Sequence, residues 1–324
     1  MAEWLVEQGI GEDRAILFDK GHVLAARIQR HGRLLAGTVA DARLIARASG
    51  ARRGTLLFAS GEEALIDGLP ADAKEGATIR AQIVRAAMAE TGRFKRAQAR
   101  PANGPEKSAP SLAEALRATG ATVRLTRRFA DDPWPEIVGE ALEGHVAFAG
   151  GSLTISPTPA MTLIDVDGTL PPAALALAAL PAVAGAIRRL DLAGSIGVDL
   201  PTLERRDDRK AVDEALARLL ESWPHQRTAI NGFGFVQLVS RLQHPSILSN
   251  VRGAPAVAGA QLLMRRIEDV AEPGGLQAYG HPSVVAAISP EWRQELLART
   301  GRGIDWIADP ALTLLGGFAQ AAAS

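Results

Sequence analysis

The chain has 324 residues, 36 basic and 36 acidic side chains, 47% hydrophobic and 22% charged residues, which describes a neutral globular protein with room for two or three cored domains. It has no cysteine, so disulfides, Cys-based zinc sites and thiol nucleophiles are excluded. Aromatic residues make up only 4%, against a background rich in Ala and Gly that reflects the coding genome more than the function.

The amino terminus, Met1-Ala2-Glu3-Trp4, carries an early acid and no long apolar core, so it does not read as a signal peptide and the cytoplasm is the expected location. Charge is uneven behind it. Between Lys20 and Arg53 eight basic residues face one acid, Asp41, and Arg80 to Arg100 adds six more against Glu90. Such a half can supply phosphate contacts or simply solvated arginines. Residues 13 to 18 and 22 to 28 flank Asp19-Lys20-Gly21, a hairpin signal. Short strands then follow at Ala36–Ala46, Gly54–Phe58, Ala64–Ile66, Thr78–Arg85 and Arg96–Arg100, punctuated by Gly61, Gly68, Pro70 and Gly76. Five short strands in about 65 residues suit an OB-type barrel, a common binder of oligonucleotides. Phe58 and Phe94, candidates for base stacking, read as barrel core.

Pro101 to Ser111 has the composition of a linker. Ser111 is placed to cap a short helix, Leu112 to Thr119, with Glu114 completing a capping box. A strand at Thr122–Leu125 and a helix at Trp134–Leu142 come next, then a hairpin, His145–Ala149 and Ser152–Ser156, about Gly150-Gly151. Leu170 to Ile187 lacks charge over about the length of a membrane span. It is mostly Ala and holds Pro171, Pro172 and Pro181, so it reads as a packed helix, and no membrane partner is expected. Arg209 to Leu220 reads as a helix, and Phe233 to Leu242 as another. Beyond Pro245 the expectation is a small α/β unit with helices at Ala256–Val270 and Pro290–Thr300 and strands at Gln277–Gly280 and Ile304–Ile307.

Two apolar runs in the middle of the chain each end in acid. Met161 to Ile164 stops at Asp165-Val166-Asp167-Gly168, and Ile196-Gly197-Val198 stops at Asp199, with the Ala/Leu-rich stretch from Ala173 to Leu190 between them. Strand, helix, strand is a crossover unit with parallel strands. Alternation along a strand puts Asp165 and Asp167 on one face. With Asp199 they form a candidate hard-oxygen cluster at the carboxyl edge of a sheet, suited to Mg²⁺. Asp207 and Asp208 read as a helix-start pair complementing the dipole. Four scattered histidines, His145, His225, His244 and His281, show no ligand spacing.

Leu163-Ile164-Asp165-Val166-Asp167-Gly168-Thr169-Leu170 resembles the haloacid-dehalogenase phosphatase signature, which would make Asp165 a nucleophile and Asp167 a general acid. That likeness is local: 160 residues precede the match, and the only lysine beyond it is Lys210. The wider context, from Gly150-Gly151 through Thr158, Ala160 and Thr162 to Ile164-Asp165-Val166-Asp167-Gly168, resembles the entry to the catalytic domain of the ribonuclease E/G family. Arg188 to Asp199 is similar to that family's second metal-binding strand, and Asn231-Gly232-Phe233-Gly234 to its Phe-Gly element.

The resemblance implies a multidomain α/β and α+β chain. Residues 1–36 and 122–140 would form an RNase H-like domain, 37–100 an OB-type RNA-binding insert, 101–121 a linker, 141–244 a DNase I-like catalytic α/β domain, and 245–324 a small C-terminal domain. It implies a metal-dependent endoribonuclease acting on single-stranded RNA, with Asp165 and Asp199 as Mg²⁺ ligands (Mn²⁺ an alternative) and Asp167 on the position of an orienting Asn. Lys95 falls near a lysine that contacts RNA, beside Arg96; Arg205, Arg206, Arg209 and Lys210 are further candidates for phosphate, or else a solvated helix start. Departures from the family also count. Ala176 to Pro181 replaces an Asn-rich substrate loop, Leu57 and Asp67 stand where RNA-gripping aromatics belong, and no pocket for an RNA 5′-phosphate is inserted. The zinc link between protomers is absent, so no zinc is expected and any homodimer would form without it. An RNA-binding relative that has lost catalysis is the alternative.

Overall fold

The computed structural model describes residues 2–90, 93–130 and 132–322. The chain opens with three antiparallel strands, β1 (Glu3–Gln8), β2 (Glu12–Asp19) and β3 (His22–Arg30). Lys20 and Gly21 make the two-residue turn between β2 and β3 with φ of 49° and 85°, the left-handed pair that a twisted hairpin demands. The sequence reading starts at residue 13 and misses β1, whose only local signal is the alternation of buried Trp4 and Val6.

The barrel follows: β4 (Val39–Arg47), β5 (Arg53–Phe58), β6 (Glu63–Asp67), β7 (Thr78–Arg85), a small hairpin of β8 (Met88–Glu90) and β9 (Arg93–Lys95), and β10 (Ala97–Pro101). The strands close in the order β10-β6-β5-β4-β7, every pair antiparallel except β6 with β10. Leu44, Leu56, Phe58, Ile66, Leu69 and Ile83 fill the interior as a core of their own. Phe94 is not part of it: on the β9 hairpin it is 62% exposed, which corrects its reading as core.

Helix α1 (Leu112–Arg117) begins with the expected box: Ser111 accepts from the Glu114 amide, and the Glu114 carboxylate accepts from the Ser111 amide at 2.9 Å. The linker therefore ends in a packed helix, since Leu112, Ala113 and Leu116 join Trp4 and Val6 in one cluster. Strand β11 (Val123–Thr126) lies parallel to β1 and completes the sheet β11-β1-β2-β3.

After α2 (Trp134–Glu143) come β12 (His145–Phe148), β13 (Gly151–Pro157), β14 (Thr162–Gly168), α3 (Pro172–Arg189), β15 (Ser195–Asp199), α4 (Arg206–Leu220), β16 (Gln226–Arg227) and β17 (Phe235–Val239). The six strands form one mixed sheet, β12-β13-β14-β15-β17-β16, in which only β14 and β15 run parallel. Residues 233–242 are thus not a helix. Val236 and Leu238 are buried while their neighbours face outward, and Phe235–Val239 pairs antiparallel with β15 along its whole length.

By length and composition α3 is the one described helix that suffices to cross a membrane. Here eight of its residues are buried, and it lies between the six-stranded sheet and β3 of the first sheet. One apolar core runs from Ile16 and Ile28 through Leu180 and Ile187 to Val198 and Val236. The remainder comprises α5 (Ile247–Gly253), α6 (Pro255–Glu268), β18 (Leu276–Gly280), α7 (Pro282–Ala287), α8 (Pro290–Thr300), β19 (Ile304–Ala308) and β20 (Phe318–Ala321). Its sheet, β19-β18-β20, is backed by a separate core that also takes in Ile10 from the β1–β2 turn.

Candidate active site

Along β14, Ile164 and Val166 are buried and Asp165 and Asp167 exposed, so the strand spends one face on the core and offers both acids to solvent on the other. β15 does the same, burying Ile196 and Val198 and exposing Asp199. The two strands are adjacent and in register, Ile164 opposite Val198 and Asp165 opposite Asp199. Neighbouring strands lie about 4.8 Å apart, which sets the backbone spacing of these two acids. Thr154 on β13 pairs with Asp165, Ser152 pairs with Asp167, and Phe235 on β17 pairs with Asp199. The row across the sheet therefore reads Thr154, Asp165, Asp199, Phe235, with Asp167 one alternation further along. Helices α3 and α4 pack on the opposite face, where Leu180, Val183, Leu216 and Leu220 join the core.

The sharp ends of these strands are steric. A Cβ at Gly151 would strike the Asp167 carbonyl, and one at Gly168 the Gly150 carbonyl, so the Gly-Gly turn and the Asp-Gly end fit only each other. Gly197, on the acid face, leaves space that Leu163, Met161 and the Phe235 ring fill.

Loss of hydration and the negative charges of Asp167 and Asp199 hold the Asp165 carboxyl above the usual carboxylate range. A proton shared between the Asp165 and Asp167 carboxyls would act in the same direction, while the Val166 amide works in the opposite one. Among the described residues none of the three acids has an ion pair, and no group of three or more His, Asp or Glu side chains is already gathered as a metal cage. The donor set nonetheless fits Mg²⁺, which is commonly held by one or two carboxylates and keeps several waters. A divalent cation would relieve the repulsion that raises Asp165.

The basic candidates fall into two groups. Lys95 and Arg96 stand at the barrel hairpin, where Arg96 pairs with Glu63 at 3.1 Å. Arg205, Arg209 and Lys210 lie at the start of α4, reached by the loop that leaves Asp199. Arg209 is turned inward, donating to the carbonyls of Leu203 at 2.6 Å and Glu204 at 2.7 Å, and Lys210 sits 3.9 Å from Glu214 one turn on. Arg205 and Arg206 remain exposed. Asp207 and Asp208 occupy the first turn of α4, as the sequence suggests.

A cleft of about 670 Å³ lies away from the acids. It lies between the barrel, β3 and residues 241–254, with Arg27, Arg33, Arg100 and Arg241 on its walls. The acid row sits instead on an open sheet face, a shape suited to an extended chain rather than to an enclosed small molecule. Compared with protein-family models and with curated protein sequences, the chain matches none.

Proposed function

We propose that the chain is a metal-dependent endoribonuclease of ribonuclease E/G type that hydrolyses single-stranded RNA without regard to the 5′ end. The observation that carries this reading is the in-register pairing of Asp165 with Asp199 on an uncovered sheet face, beside Asp167. The mixed sheet that bears them supports a DNase I-like catalytic unit over residues 141–244. The closed barrel, with its single parallel closure between β6 and β10, supports an OB-type insert. The first sheet, three antiparallel strands and a parallel fourth, supports an RNase H-like segment.

Asp165 and Asp199 would hold Mg²⁺ between them. Bound there, the ion supplies Lewis acidity and an activated water for a phosphodiester, neutralising charge as it develops. Asp167 adds a third negative charge beside Asp165. Thr154 and Ser152 flank the acids with hydroxyls, and the bare face admits an extended strand with no closing element. A phosphatase with Asp165 as nucleophile is less well supported, because the one downstream lysine, Lys210, is set beside Glu214 on α4.

Incubation with end-labelled single-stranded RNA, in 5′-phosphate and 5′-hydroxyl forms, tests the reading. Expected are Mg²⁺-dependent cuts at equal rates for the two ends, products with 5′-phosphate and 3′-hydroxyl, and full inhibition by EDTA. RNA that is bound but left uncut in both Mg²⁺ and Mn²⁺ would favour an RNA-binding relative without catalysis. Hydrolysis of a generic phosphomonoester instead would point to the phosphatase.

A further inference from the structure

Among the large apolar side chains of the described residues Phe233 is the most exposed, at 79%. Lone exposed apolar residues are ordinary on protein surfaces, so exposure alone says little. Two further observations separate this one.

The first is that the ring is held out by a built turn. The Asn231 side-chain oxygen accepts from the Phe233 and Phe235 amides, both at 3.0 Å, and the Asn231 carbonyl accepts from the Gly234 amide at 3.1 Å. Gly234 has φ of +89° and lies so close to the Leu200 and Pro201 carbonyls that a Cβ there would strike both. The turn is therefore clamped to the segment that leaves Asp199. The second is position. Phe233 stands two residues before Phe235, the register partner of Asp199. Two residues of chain span about 7 Å and paired residues lie about 5 Å apart, so Phe233 is within about 12 Å of Asp199.

Charge near the acids does not favour a polyanion. Three carboxylates form the row, and Arg205 and Arg206 at the start of α4 are offset by Asp207 and Asp208. Attraction on this side of the site, beyond what a bound Mg²⁺ supplies, then falls to a group other than phosphate. An aromatic face attracts every base alike.

We infer that Phe233 is a stacking platform for an unpaired base flanking the scissile bond, so that this site selects single-stranded nucleic acid carrying its bases. The inference rests on the nuclease reading for its location. Its test is a binding measurement that needs no cleavage. Binding of a labelled single-stranded RNA to the full chain carrying Asp165→Asn is compared with the same protein carrying in addition Phe233→Ala, Phe233→Leu or Phe233→Trp. Each variant is first checked for an unchanged melting temperature.

Phe233→Ala is expected to weaken binding about 10- to 100-fold, the value of one stacked base. Phe233→Leu should lose nearly as much, while Phe233→Trp should bind at least as tightly and show new tryptophan quenching on RNA addition. A strand of equal length made of abasic residues should bind the Asp165→Asn protein and its Phe233→Ala derivative alike. Equal RNA binding by Phe233→Ala and its parent would overturn the inference. So would equal losses on normal and abasic strands, or an effect of Phe233→Ala confined to self-association seen by sedimentation. Cleavage by the wild-type chain is read separately. If it cuts RNA while Phe233→Ala binds normally, only the stacking platform falls; if stacking holds and nothing is cut, only the nuclease reading does.

Discussion

Two groups of charges in this molecule are arranged in opposite ways. Where β1 and β2 meet α6, Glu7, Glu12, Asp13, Arg14 and Arg265 are all buried, and nearly every charge has a partner. Glu7 receives Arg14 at 3.1 Å and is also paired with Arg265. Asp13 meets His31 at 3.0 Å, Glu12 faces Arg30 at 3.9 Å, and the Arg14 guanidinium lies 5.1 Å from the Phe129 ring centre and 5.4 Å from that of Trp134. At the acid row three carboxylates stand together, exposed, with no cation beside them among the described residues. Buried charges must be matched or the fold fails. Exposed like charges add nothing to the fold and are tolerated where a ligand supplies the missing charge. The first group is a joint between the amino-terminal sheet and the carboxy-terminal unit; the second is the proposed site.

That contrast can be broken by exchanging which property each group controls. The largest effect is expected for Asp165→Asn or Asp199→Asn: cleavage of labelled RNA falls by about a thousandfold, the several kcal/mol that metal assistance supplies, while folding is kept. Normal cutting by either variant would end the assignment. Glu7→Ala should do the reverse. Leaving Arg14 and Arg265 buried without their carboxylate costs about 3–5 kcal/mol in urea denaturation. Where the variant is still folded, it should cut at the parental rate. Gly234→Ala is expected next, at about 1–3 kcal/mol for the left-handed strain alone.

Smaller effects sharpen the picture. The hydrogen bond that the His31 ring donates to the Asp13 carboxylate holds the His31 pKa above its ordinary value. A base with a raised folded pKa lends stability that is fully present below its unfolded value and lost as pH rises through the folded one. Stability should therefore decline by less than about 1 kcal/mol from slightly acidic to mildly alkaline pH, and His31→Gln should flatten that decline. Smallest of all, Asp165→Asn without added metal should raise stability by about 0.5 kcal/mol, because it removes a repulsion between partly exposed like charges. A loss instead would mean that the carboxylate is structural.

The acid row was legible because its signal is local. An apolar run ending in Asp-x-Asp, a helix-length Ala/Leu stretch and a second run ending in Asp together dictate a parallel crossover, and register did the rest. The capping box at Ser111 and the Lys20-Gly21 turn were legible for the same reason. Strand β17 was not. Five residues, Phe-Val-Gln-Leu-Val, are too few for a clear period of two, and what makes them a strand is pairing with β15, some forty residues earlier in the chain. The inward turn of Arg209 and the outward turn of Phe94 and Phe233 depend on neighbours that no local spacing announces. The bareness of the acid face is likewise a property of how helices were distributed between the two sides of the sheet.

The placement of α3 has a mechanical consequence. Because that helix is wedged between two sheets drawn from distant parts of the chain, melting either sheet exposes the same leucines and isoleucines, and the two should come apart in one step. The barrel, whose filling comes from its own strands and the loops beside them, is free of that coupling. Amide exchange should accordingly report two clocks, one shared by residues as far apart as Ile28 and Val236, and another kept by Leu44, Leu56 and Ile83.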